Sequence, residues 1–440
     1  MENGGNLRRF IRLLQVLTGF TFLFFFIHCP TTTTSPHNNR KVFIQKEGKQ
    51  YVLYRNGRPF VVRGASGYTN LEKLSQIGGN TIRTWDTVNL ANILDEAQRN
   101  NLAVIVGLPM PGSAYLDYFY KDTAKVQALF LALQHTVKQY KGHPALLMWC
   151  LGNELGFNAG IGYSPFYKAF NNLLDMIHTV DPDHPVTSTM ANFNVLQTML
   201  IQLRVNNLDL ISFNTFGKLK ILNSKLRLYR WCWNGPYLVT EWGAYGPWEV
   251  NNTAWGAPIE NTSTKKAEHY RNMYGMLPLN DPRFLGALVF YWGQKQETTP
   301  TWFSMFDEQG AGSQAVSVIQ ELWGGHPVNV KPPLIRYMLL NSKGAADNIM
   351  VMPDSLQAAE VLMEGAVPDN LVYHWEVMQE DWFHELGKNT QRVLDTVITG
   401  RNTKCVFRAP LKEGPYRIYV KVLDGQGHFA TANTPFYVVE

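Results

Sequence analysis

Charge is scarce in this chain. Only 17% of its 440 residues are charged, and Lys plus Arg exceed Asp plus Glu by 40 − 35 = 5. No basic run occurs beyond the extreme N-terminus. A nucleic-acid partner is therefore not expected, because its footprint would be a dense Lys/Arg patch. Cysteine is scarce too. Four cysteines, none spaced C-x-x-C, exclude a disulfide scaffold and offer no zinc motif. For Cys150, Cys232 and Cys405, one bridge or free buried thiols both fit. Internal repeats and long low-complexity tracts are absent. His143, His178 and His184 fall near helix and loop ends and read as structural, so neither a metal nor a cofactor is expected.

Apolar material, by contrast, is plentiful. The hydrophobic share of 45% is ample for a large core plus a small second domain. Aromatics make up 13%, with 12 Trp. Flat rings suit sugar clefts, although most of them serve simply as core.

Residues 1–29 read as an address. Arg8, Arg9 and Arg12 precede an apolar run with Phe20, Phe22, Leu23, Phe24, Phe25 and Phe26, the layout of a signal peptide or signal anchor. No small-x-small cleavage site surrounds His28, Cys29 and Pro30, and His28 is a poor neighbour for a lipidated Cys29. Residues 30–41 form a tether. The chain is expected to be secreted or held on the extracytoplasmic side of a membrane through this segment. Asn251-Asn252-Thr253 and Asn261-Thr262-Ser263 are sequons usable only in a eukaryotic secretory route.

Beyond residue 42, short apolar runs alternate with amphipathic stretches. Strands are expected at 61–65, 81–85, 102–108, 146–151, 185–189, 208–213, 237–240 and 285–292. Several are nearly continuous apolar runs, as parallel strands buried on both faces should be. Helices are expected at 90–100, 123–140, 165–180 and 265–276, the third with Ser164 as N-cap and Pro165 just inside. Eight alternations fit a (β/α)8 TIM barrel over 42–330. The turn after the first strand, Arg63-Gly64-Ala65-Ser66-Gly67-Tyr68, lacks the dinucleotide fingerprint that a doubly wound sheet carries there. Lys331-Pro332-Pro333 is a linker. Residues 334–440 read as a small immunoglobulin-like β-sandwich, with strands at 370–378, 403–409, 416–423 and 434–439. Trp375 and Trp382 there read as sandwich core ahead of a carbohydrate-binding surface. On this reading the barrel is an autonomous enzyme, and cutting the tail away near Pro332 leaves activity intact.

Two acids end apolar strands. Leu146-Leu147-Met148-Trp149-Cys150-Leu151 runs into Gly152-Asn153-Glu154, and Tyr237-Leu238-Val239-Thr240 into Glu241-Trp242-Gly243. A carboxylate directly after a buried run needs compensation, and the C-terminal mouth is where barrel enzymes keep their chemistry. Glycosidic cleavage uses such a pair, one acid protonating the departing oxygen and the other attacking the anomeric carbon. Asn153 offers an amide to the neighbouring sugar hydroxyl. Arg83, in Thr81-Ile82-Arg83-Thr84-Trp85, suits a partner that keeps the nucleophile ionised.

At these residues the chain resembles a clan A glycoside hydrolase, with a catalytic barrel similar to those of glycoside hydrolase families 2 and 5. His143-Pro144-Ala145-Leu146-Leu147-Met148-Trp149-Cys150-Leu151-Gly152-Asn153-Glu154 is similar to the acid/base region of family 2, Thr240-Glu241-Trp242-Gly243 to its nucleophile strand, and Ile82-Arg83-Thr84-Trp85 to its arginine strand. Phe290-Tyr291-Trp292-Gly293 stands where the clan commonly has a floor Trp. The resemblance implies a retaining enzyme cleaving β-linked oligo- or polysaccharides, with Glu154 as acid/base and Glu241 as nucleophile. Arg83, Trp85, Asn153, Asn214, Trp242, Trp292 and Trp302 would contact the substrate. Trp248 and Trp255 fall in mouth loops as well, where stacking and packing are both open readings.

Two departures stand out. Family 2 enzymes usually carry sandwich domains before the barrel, and here the barrel follows the tether. The clan also often has a Tyr near position 216 that donates to the nucleophile, and Phe216 cannot. Either Tyr245 or Tyr68 takes over, or the tuning is unusual. That leaves a transglycosylase or a non-catalytic glycan-binding surface protein as alternatives.

Overall fold

The computed structural model describes residues 40–324, 332–365, 370–380, 393–400 and 402–440. The signal segment with Cys29, nearly all of the tether, Lys331 of the linker and Trp382 lie outside these residues.

Eight parallel strands close a barrel in chain order: Val62–Ser66, Thr81–Arg83, Ala103–Leu108, Leu146–Asn153, Val186–Ala191, Leu210–Asn214, Tyr237–Trp242 and Phe284–Phe290. The last pairs with the first, from Gly286 opposite Val62 to Phe290 opposite Ser66. All eight expected strands are present. Their side chains alternate between two cores, as period-2 geometry requires. Ala103 and Ile105 join Leu147, Leu210, Leu238 and Leu288 in one buried cluster. Val104, Val106 and Leu108 join Leu94, Ala97, Leu133 and Val137 of the surrounding helices in another. Helix starts follow side-chain capping. Asp122 accepts from the Ala124 and Lys125 N–H groups, Asn194 from Gln197 and Thr262 from Lys265. Ser164, expected as a cap, is instead the first helical residue, with Tyr163 at the cap position.

An antiparallel meander, Val42–Glu47, Gln50–Arg55 and Arg58–Pro59, precedes the barrel. It was not among the expected strands. Val42 and Leu53 sit in the same cluster as barrel residues Ile105, Leu147 and Leu238, so the meander is part of the barrel's core. Its tight turn is Asn56-Gly57, at φ 52° and 72°, the positive-φ pair that two-residue hairpins favour.

The tail is a sandwich of a three-stranded sheet, Ile335–Leu340, Leu356–Met363 and Lys404–Arg408, and a five-stranded sheet. The second is ordered Met350–Val351, Phe429–Val438, Gly414–Leu423, Val372–Gln379, Val393–Gly400. Trp375 is buried in its core, as expected.

The sandwich is sewn to the barrel. Gly312 and Phe429 exchange backbone bonds with this seam, Gly312 N–H to the Gly427 carbonyl at 2.9 Å and Phe429 N–H to the Gly312 carbonyl at 3.1 Å. Ser263 and Thr264, at a barrel helix start, accept from the Thr431 and Ile335 N–H groups. Deeper in lies a buried polar cluster. Arg417, fully buried, donates to Glu380, to Asn433 Oδ1 at 2.7 Å and to the Pro258 carbonyl at 2.8 Å. Asn433 Nδ2 donates to Glu260 Oε2 at 2.7 Å, and Glu260 also pairs with Lys266 at 2.6 Å. Burial alone would push the Glu260 carboxyl up. Lys266 and Arg417 outweigh it and hold the group below its ordinary range. Thr299 and Thr301, after strand eight, donate to the same carboxylate at 2.6 and 2.8 Å. The loop on the barrel's mouth is thus tied to residues of the tail.

Candidate active site

Strand four delivers Asn153 and Glu154, and it does so through irregular backbone. Its register against strand five shifts between Cys150 and Asn153, the kind of irregularity that re-aims a side chain. Gly152 has φ 73°, and a Cβ there would meet the Leu155 side chain at 2.5 Å. Glu154 itself adopts φ 53°, a left-handed conformation uncommon outside glycine and asparagine. Its N–H donates to the Thr189 carbonyl at 2.9 Å.

Strand seven delivers Glu241, 6% exposed. Arg83 Nη1 meets Glu241 Oε1 at 2.6 Å, and Trp85 Nε1 donates to the same oxygen at 2.9 Å. The second Arg83 nitrogen donates to Asn153 Oδ1 at 2.7 Å. Asn214, at the end of strand six, donates to Asn153 Oδ1 at 3.1 Å and to Glu154 Oε1 at 2.8 Å. Thr240 fixes the Asn214 amide by donating to its Oδ1 at 2.9 Å. One continuous hydrogen-bonded chain therefore links the two carboxylates. Asn153 Oδ1 thus accepts twice, from Arg83 and from Asn214.

These residues share a cleft of about 470 Å³. Trp85, Asn153, Glu154, Asn214 and Glu241 line it, together with Phe216, Phe290, Trp248, Asn192, Glu249, Lys295 and Glu297. Among the described residues, no group of three or more His, Cys, Asp or Glu is placed to hold a metal ion.

Arg83, expected to touch substrate, is buried and does not line the cleft, and three expected sugar contacts also stand elsewhere. Trp242 neighbours Glu241 on the strand and so points the opposite way, onto Tyr270 and Tyr274 of a barrel helix. Strand eight ends at Phe290, which lines the cleft, and Trp292 is buried against Phe306 with its N–H on the Asn70 carbonyl. Trp302 is buried with its N–H on the Tyr245 carbonyl and packs in the cluster of Phe216, Phe290 and Phe303 that backs the cleft wall. Trp255 packs on Tyr437 of the sandwich. Cys150, Cys232 and Cys405 are free and buried.

Trp85 does more than offer a face. Its ring packs with the Arg83 guanidinium, 5.4 Å from the ring centre, and with Tyr291, stacked at 5.7 Å. These contacts hold the indole with its N–H on Glu241. Tyr245, proposed from sequence as a substitute donor, packs edge-on against His269 instead. Among the described residues, the donors on Glu241 are Arg83 and Trp85.

Burial pushes the Glu241 carboxyl above its ordinary value, and the nearby Glu154 adds to that. Arg83 and the Trp85 N–H pull the other way without cancelling the rise. Chemistry that needs Glu241 ionised therefore fails, as pH falls, sooner than an ordinary glutamate would dictate. Trp85→Phe removes one donor from the anion and raises this carboxyl further. The acid limb of the kcat/KM profile should move to higher pH, and kcat should drop about 10- to 100-fold. An unmoved acid limb would show that the indole does not tune Glu241.

Residues 73–252 match the family described as Glycosyl hydrolases family 2, TIM barrel domain. This segment is similar to the barrel domain of family 2 glycosyl hydrolases. The match spans strands two to seven and contains Arg83, Glu154 and Glu241. The chain is 25% identical over 167 residues to a β-glucuronidase of Paenibacillus borealis, covering 33% of this chain and 27% of that protein. It is 23% identical over 223 residues to the β-glucuronidase of Sus scrofa, covering 44% and 32%. The matched stretches thus span about a third or less of those relatives' lengths. Among solved structures, a Ruminococcus gnavus β-glucuronidase aligns at TM-score 0.47 and 17% identity over 66% of this chain and 54% of its own. The endo-β-1,4-mannanase of Thermotoga petrophila aligns at 0.43 and 13% over 88% and 99%.

Proposed function

We propose that the protein is an exported retaining glycoside hydrolase that cleaves β-linked glycans by double displacement. The observation that carries this reading is the pair Glu154 and Glu241, from strands four and seven, lining one cleft and joined through Asn214, Asn153 and Arg83. Glu241 attacks the anomeric carbon as Glu154 in its acid form protonates the departing oxygen. The glycosyl ester on Glu241 is then released by water, whose proton passes to the Glu154 carboxylate. Arg83 and Trp85 hold the Glu241 anion, and Asn153 offers its amide to the sugar. Trp248, 62% exposed on the cleft wall, offers a stacking face. The named activity of the β-glucuronidase relatives supports the reaction class. Export rests on the basic and apolar N-terminal segment.

Proton NMR of the earliest product tests the stereochemistry. A β-configured reducing sugar should appear first, with the α form rising only by mutarotation. An α product at the earliest time point would sink double displacement.

A further inference from the structure

We infer that the cleft selects neutral sugars and rejects uronic acids, with the Lys295–Glu297 ion pair as the gate. The inference rests on the glycosidase reading and adds the substrate class. Four carboxylates border the cleft, Glu154, Glu241, Glu249 and Glu297. Two cations answer them. Arg83, buried and outside the cleft lining, turns its two terminal nitrogens to Glu241 and Asn153. Lys295, the one cation lining the cleft among the described residues, is paired with Glu297 at 2.5 Å and lies 5.0 Å from the centre of the Phe290 ring. The wall is therefore net negative and rich in acceptors.

The chemistry of the two sugar classes differs where it matters. Neutral sugar hydroxyls donate, and Glu249 and Glu297 accept. Glu249 is held ready for this, since the Gly217 and Gly246 N–H groups fix its carboxylate at 3.0 and 3.1 Å. A uronate adds an anion that only accepts and meets like charge unless it takes Lys295 away from Glu297.

The loop carrying that pair is anchored. Ser304 Oγ accepts from the Lys295 N–H and donates to the Pro300 carbonyl. Glu297 and Thr299 exchange backbone bonds, and Thr299 and Thr301 are tied to Glu260. Lys295 and Glu297 thus project from a fixed frame. The relatives' β-glucuronidase activity is, on this inference, not shared.

The test uses the full chain with 4-nitrophenyl β-glucoside, β-galactoside, β-mannoside and β-glucuronide, and matching disaccharides. At least one neutral glycoside should be cleaved, with kcat/KM for the glucuronide about 100-fold lower or less. Glu297→Gln removes the competing anion, frees Lys295, and should raise the glucuronide-to-neutral ratio about 10-fold. Glucuronide turnover by the wild type at a rate near the best neutral substrate overturns the inference while leaving the hydrolase standing. An unchanged ratio in the variant overturns the gate. Silence on every glycoside, neutral and acidic, sinks the hydrolase reading itself and is recognisable as such.

Discussion

Glu241→Gln should lower kcat on any glycoside the protein cleaves by about 10⁴-fold or more, because no covalent intermediate then forms. The amide keeps the shape of the side chain and an oxygen acceptor for Arg83 and Trp85, so the fold should survive. A matching circular dichroism spectrum separates lost chemistry from lost structure. Retained turnover above about 1% of wild type would remove Glu241 from the nucleophile role.

Glu154 provides the contrast that makes the assignment specific. Its acid is needed only where the leaving group needs a proton. Glu154→Gln should therefore be severely impaired on alkyl or sugar aglycones and much less so, in the first step, on dinitrophenyl glycosides. If both variants lost activity equally on every leaving group, the two glutamates would not hold distinct roles.

The second large effect concerns the tail. Sequence alone favours an autonomous barrel, but removal of 334–440 should yield protein that is insoluble or inactive. The cut strips Asn433 from Glu260 and Arg417 from the Pro258 carbonyl, and uncovers Ser263 and Thr264. Glu260 in turn holds Thr299 and Thr301, in the loop that carries Lys295 and Glu297. A milder probe in the full chain is Arg417→Ala, which leaves the Glu380 and Glu260 carboxylates short of their buried cation. Breaking one partner of such a pair costs about 3–5 kcal/mol, measurable by denaturant unfolding. A truncated barrel with wild-type turnover and wild-type melting would refute the coupling.

The barrel was legible because its strands are buried on both faces, and such runs as Leu146 to Leu151 leave few other readings. The carboxylates, Asn153 and Arg83 were legible because strand ends at one mouth converge whatever the loops do. The tryptophans were not. Trp242 and Trp292 depend on which way a side chain turns where a strand stops, a matter of one residue. Trp85 was found as a ring and missed as a donor, since that role needs Tyr291 beneath it. Lys295, Glu297 and Glu249 come from loops whose paths no periodicity encodes. The meander did carry a signal, Asn56-Gly57 between two β-rich runs. The seam is beyond sequence pattern, because Glu260 and Asn433 stand 173 residues apart.

The left-handed backbone at Glu154 has a consequence for how this site can age. A residue with a Cβ in that conformation costs about 1–2 kcal/mol, and glycine or asparagine would relieve most of it. Replacing Glu154 by glycine would thus relieve backbone strain while leaving the buried Asn214 amide without one of its acceptors. On the glycosidase reading, a lineage that had given up cutting sugars for merely holding them would have that relief within reach, opposed only by the lost Asn214 bond. This chain still carries the glutamate.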